Sequence, residues 1–144
     1  MDHTNILPTI GLGRIKFLIS IDDFKDLVGE PDDEELIRDK IGELNSKILH
    51  YDSIGLSASF DKEDKWKLTS LTVNDENFHL NENYLFHISK HTFLKLNKTL
   101  NLGHYISDVF KEEEYTYTTL FFEEKNISFW FENDELQKIQ WGII

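Results

Sequence analysis

The sequence contains no cysteine, which excludes a disulfide framework, a thiolate metal site and a cysteine nucleophile. Its apolar runs are a few residues long, far short of the roughly 20 needed to span a bilayer. The opening "MDHTNILPTIGLGR" carries an acid at position 2 and no apolar run of signal-peptide length. Without cysteine no lipoprotein anchor is expected either. These absences lead to the expectation of a soluble cytoplasmic protein. Bases are also scarce: 15 Lys and Arg stand against 27 Asp and Glu, for a net charge of −12. A field of that sign disfavours nucleic acid and anionic membranes, and it speeds encounter with a basic partner.

Enzyme signatures are missing too. "GLGR" at 11–14 lacks the third glycine of a dinucleotide fingerprint, Lys16 holding its place, and reads as a tight turn before a strand. "DKEDK" at 61–65 lacks the glycine and distal Glu of a calcium loop and reads as a hairpin turn. No serine sits in G-x-S-x-G. His87 and His91 stand four apart, but Ser89 between them reads as a helix cap. The pair therefore does not share one helix, as a metal-binding pair of this spacing requires. No catalytic residue, metal or cofactor is expected, and enzymatic activity ranks last among the functions considered.

What the chain does have is the length and apolar content (40%, with 13% aromatic) of one domain, and an internal echo. "FLISIDDF" at 17–24 and "FHISKHTF" at 86–93 share Phe, Ile, Ser and Phe at the same four places. Ser20 and Ser89 read as N-caps, with Asp23 in the capping-box position. Gly29 and Pro31 stop the first helix, and Asn101 or Gly103 the second. Residues 51–60 align with 122–131, Gly55 meeting Asn126 at a turn, and 68–73 align with 136–141. Each half reads as a short strand, a helix, a variable segment and three antiparallel strands, with approximate limits of 14–73 and 83–142. In the first variable segment Ile37, Ile41, Leu44 and Ile48 fall at helical spacing. Its counterpart, 103–120, is less regular and begins as a loop or short helix. The expected fold class is α+β: two similar halves, each a helix packed on antiparallel strands, forming one compact domain.

The cadence of "ILPTIGLGRIKFLISIDDFKDLVGEP", with the later Tyr51, Gly55, Leu56 and Phe60, resembles a group of small bacterial proteins. Their architecture is similar to the β-lactamase-inhibitor-like fold, in which a helix packs on antiparallel strands and the unit can be duplicated. Leu18 and His87 stand where a glycine is common in that group. Many such proteins are identified as immunity proteins, which neutralise a toxin delivered by a competing bacterium. The resemblance therefore implies a non-catalytic inhibitor.

Two acidic clusters are the candidate partner-binding residues. Asp32, Asp33, Glu34 and Glu35 follow the first helix, where they read as the start of another helix whose dipole they suit. Glu112, Glu113 and Glu114 adjoin Tyr115 and Tyr117, residues suited to anchor an interface. The remaining aromatics of 115–131 are expected in the core, where most large rings lie. The leading expectation is occlusion of a basic toxin domain, such as a nuclease, with carboxylates standing in for substrate phosphates. The alternatives are a non-catalytic scaffold and a small-molecule module using an aromatic cavity between the halves.

Overall fold

The computed structural model describes residues 3–144. Short strands β1 (Asn5–Leu7), β2 (Gly11–Leu12) and β3 (Ile15–Lys16) lead into α1 (Ile21–Val28). Then come β4 (Asp33–Arg38), β5 (Leu44–Tyr51), β6 (Leu56–Asp61) and β7 (Lys67–Val73). After β8 (His79–Leu80) and α2 (Lys90–Leu100) the chain closes with β9 (Tyr105–Glu112), β10 (Tyr115–Phe122), β11 (Ile127–Glu132) and β12 (Glu135–Gly142).

This architecture overturns the α+β expectation of two similar helix-on-sheet halves. The fold is mostly β. Two α-helices among the described residues lie against a continuous eight-stranded antiparallel sheet, in the order β4-β5-β6-β7-β12-β11-β10-β9. A second sheet of four strands runs β3-β2-β1-β8. Pairing of β7 with β12, Leu71 opposite Trp141 and Val73 opposite Ile139, joins the sheets of the two expected halves into one layer.

The helix expected at 37–48 is a hairpin, and the reason is turn chemistry. Asp39 Oδ1 accepts hydrogen bonds from the N–H groups of Ile41 (3.0 Å) and Glu43 (2.9 Å), and Gly42 adopts φ 89°. Inside a helix, Gly42 would cost about 1 kcal/mol relative to Ala. In the turn it supplies the left-handed residue that the loop demands. The less regular stretch 103–120, expected to begin as a loop or short helix, likewise belongs to a hairpin, β9 and β10 turning at Glu113 (φ 53°) and Glu114.

Elsewhere local chemistry follows the residues closely. Ser20 Oγ accepts from the Asp23 N–H, and Ser89 Oγ from the Thr92 N–H, both at 3.1 Å. The register is interrupted at corresponding places. Phe60 opposes Leu68 after one bulge, and Phe131 opposes Leu136 after the other. Alternation then sends Leu56, Ala58 and Phe60, and Ile127, Phe129 and Phe131, to the same buried face. Phe24 of α1 packs edge-on to Phe60 at 5.5 Å, while Phe93 of α2 meets Phe129 at 4.5 Å. The small sheet adds Ile6, Leu12, Ile15 and Leu80 to the same core. Trp141 ties the two sheets together by donating its indole N–H to the Gly11 carbonyl (2.9 Å).

The core thus fills one face of the large sheet. The other carries Ser57, Ser59, Ser70, Thr72, Ser128 and Gln140, none of them buried.

Leu18 and His87 precede the two caps in the left-handed region, at φ 73° and 71°. Each donates its backbone N–H across to a sheet strand, to Leu68 O and Leu136 O. Side chains there are strained and glycine is not. Since Leu18 is half exposed, Leu18→Gly is expected to raise the unfolding free energy by about 0.5–1 kcal/mol. Urea unfolding checks this; a lower midpoint would show that Leu18 packing outweighs its backbone strain.

Candidate functional site

The sheet order places the two acidic clusters far apart. Asp33, Glu34 and Glu35 lie on β4 and Glu112 on β9, the two edges of the eight-stranded sheet. Seven strand spacings of about 4.8 Å separate them, roughly 34 Å. They do not form one site.

Carboxylates of the first cluster are largely engaged. Asp32 Oδ2 accepts from the Ser53 N–H (3.0 Å) and hydroxyl (3.2 Å), and Asp33 Oδ1 accepts from the Glu34 N–H (2.9 Å). Glu35 Oε1 lies 2.9 Å from His50 Nε2, whose Nδ1 lies 2.8 Å from Ser57 Oγ. That Ser–His–Glu chain runs across three neighbouring strands, so only the strand register reveals it. It staples the β4 edge to the open face of the sheet. Nearby, Tyr51 donates its hydroxyl to the Gly29 carbonyl at the end of α1 (2.8 Å). Burial, then the Glu30 and Asp32 charges, push its phenol up to about 12.

The second cluster is unencumbered. Among the described residues, no hydrogen bond or ion pair engages the side chains of Glu112, Glu113 or Glu114. Tyr115 and Tyr117 follow on β10 and stack on each other (6.3 Å, 21°). Both point to the open face, and the register carries rows of side chains outward from there. Phe110 of β9 sits beside Tyr117 and Glu132 beside it on β11; Asp108, Thr119, Trp130 and Lys138 form the next row. Tyr115 (47%), Phe110 (59%) and Trp130 (37%) are exposed. Trp130, expected in the core, joins this surface patch because the helices cover only the opposite face. Desolvation first, then the Glu132 and Glu112 charges and Tyr115, raise the Tyr117 phenol above its usual range. The phenol therefore remains a hydrogen-bond donor among carboxylates. Lys138 Nζ stands 4.1 Å over the Trp130 ring, and a groove of about 250 Å³ opens between Tyr117, Trp130 and Lys138.

Of the side chains on this face, the sequence singles out Glu112, Tyr115 and Tyr117 as candidates but not Phe110 and Trp130. Their membership depends on which strand lies beside which. The groove where the two halves meet on the open face, about 380 Å³, is lined chiefly by polar residues, among them Asp61, Asp64, Thr69 and Asn126. No group of three His, Cys, Asp or Glu side chains is placed to hold a metal ion among the described residues. His87 instead stands 3.9 Å from Glu76 and from Glu135.

No protein-family model and no curated protein matches the chain. The chain is similar in structure to an extracellular protein containing an SCP domain from Bacillus anthracis str. Ames, with a TM-score of 0.58 and 12% identity. The match covers 98% of this chain and 46% of that one, so this chain spans less than half of the neighbour's length. At that identity the likeness shows the fold alone. Among the described residues no helix is long and apolar enough to cross a membrane.

The Tyr51 phenol gives a pH signature. Its ordinary value is 10.0 and its folded value about 12, so between those limits the unfolded chain has lost a proton that the folded chain keeps. The corresponding stability is complete below pH 10 and lost as pH rises towards 12. Tyr51→Phe should flatten that part of the stability curve and cost about 1 kcal/mol at neutral pH through the lost hydrogen bond. Denaturant unfolding of both proteins from pH 7 to 12 tests this, and parallel curves would contradict it.

Proposed function

We propose that this protein is an immunity protein that binds and neutralises a basic bacterial toxin domain, such as a nuclease, by covering its active site. The observation that carries this reading is the union of exposed rings and unpaired acids at one end of the sheet. Tyr115, Tyr117, Phe110 and Trp130 supply rigid contact area, while Glu112, Glu113 and Glu114 supply charge at its rim. Rings give an interface affinity at low entropic cost, and carboxylates give rate and selectivity. A net charge of −12 steers a basic domain toward the face. Carboxylates set where substrate phosphates would lie inhibit without chemistry, so the proposed role is non-enzymatic and cytoplasmic.

Capture of the product of the neighbouring gene on immobilised protein tests the reading. We expect tight capture of a basic domain with loss of its toxicity, and at least tenfold weaker binding at high salt. Tyr117→Ala should weaken binding by about 2 kcal/mol or more, the scale of an interface anchor, with the fold intact. Binding unmoved by salt and by Tyr117→Ala would remove the face from consideration.

A further inference from the structure

We propose that the β9 edge is where the partner docks, by adding an extended basic strand antiparallel to it; this deepens the basic-partner reading above and rests on it. All eight residues of β9 are exposed, and its neighbour in the sheet is β10 alone. Its polarity can be worked out from the turn. Glu113 and Glu114 form a two-residue hairpin loop, so the flanking Glu112 and Tyr115 exchange both backbone hydrogen bonds. Alternation then directs the N–H and C=O groups of Ile106, Asp108, Phe110 and Glu112 toward β10. Those of Tyr105, Ser107, Val109 and Lys111 point outward. Thr116 agrees: it lies opposite Lys111, and its N–H and C=O turn away to the Asn133 side chain and backbone N–H. Beyond the ladder with β10, β9 makes no backbone hydrogen bond among the described residues. It therefore offers an open template of four outward residues.

Side chains specify the occupant. On the open face β9 presents Ile106, Asp108, Phe110 and Glu112, apolar and acidic in alternation. An added antiparallel strand places its own residues directly opposite them. Read from its N-terminus, it would carry Lys or Arg against Glu112, an apolar residue against Phe110, Lys or Arg against Asp108 and an apolar residue against Ile106. A second copy fits less well. Pairing centred on Asp108 sets that carboxylate against itself, and every register joins two chains of net charge −12. The opposite edge is closed to the same mode, because Asp33 takes the Glu34 N–H and the strand opens with three successive acids, Asp33, Glu34 and Glu35.

The test uses the octapeptide Lys-Thr-Val-Ile-Lys-Thr-Val-Tyr and its Glu-for-Lys counterpart, followed by amide NMR shifts and hydrogen exchange. Slowed exchange at Tyr105, Ser107, Val109 and Lys111 with the Lys peptide, and at least tenfold weaker binding of the Glu peptide, is the expected result. Val109→Pro and Ser107→Pro each delete an outward N–H without touching the β10 ladder, and each should reduce binding at least tenfold while melting as the parent does. Shifts centred on Tyr117 and Trp130 that survive both proline variants would overturn strand addition and leave the basic-partner face standing. No shift with either peptide also overturns it, the capture experiment with Tyr117→Ala deciding the broader reading separately. A dimer that either proline variant dissolves would assign the edge to a second copy instead.

Discussion

Pairing of β7 with β12 is the constraint from which the rest of the molecule follows. It joins the last strand of each half of the chain, Ser70 to Val73 against Ile139 to Gly142, and so makes one layer of eight strands. Once that layer exists, only one of its faces can be filled by α1, α2 and the small sheet, and the core collects there. Gly142 shows how close the join is: a Cβ on it would stand 2.7 Å from the Thr69 carbonyl. The same pairing drives β4 and β9 to the outside. Two acidic clusters at similar places in the sequence consequently end up at opposite edges.

Features that act within a few residues were legible in the sequence. The Ser20 and Ser89 caps, the turns at Gly55 and Asn126 and the buried alternation of Ile127, Phe129 and Phe131 follow from local chemistry. Leu18 and His87 looked like departures where glycine is common, and their positive φ gives the physical basis of that preference. The two edge hairpins were not legible. Strand β4 has Leu36 on one face and Ile37 on the other, both exposed, so no face stands out as apolar. With period 2 blurred, the spacing of Ile37, Ile41, Leu44 and Ile48 imitated a helix. The information that breaks the tie sits in Asp39 and Gly42, which close a loop.

The candidate site was half visible for a related reason. Tyr115 and Tyr117 stand out because acids precede them directly. Phe110, five residues earlier, joins them only through the β9–β10 register, and Trp130 only through β11. Large rings are usually buried, and the expectation of a core at 115–131 applied that rule where a one-sided sheet breaks it. Phe122 and Phe129 follow the rule, while Tyr117 and Trp130, one residue out of phase, do not. The Ser57–His50–Glu35 chain carries the same lesson in polar form, since its members come from three strands.

An exposed eight-residue edge is a hazard for any sheet protein, because it invites pairing with its own kind. Strand β4 meets the hazard with three successive acids and a side-chain lock on one backbone N–H. Strand β9 is longer and has no such lock, and four of its eight residues are exposed apolar or aromatic side chains. What remains to keep it solitary is charge: Asp108 and Glu112 on the strand, Glu113 and Glu114 at its tip, and Glu132 two strands away. Acids protect an edge against an acidic copy of itself and leave it open to a basic one. The device that opposes self-association is therefore also a filter, and it passes partners of one sign.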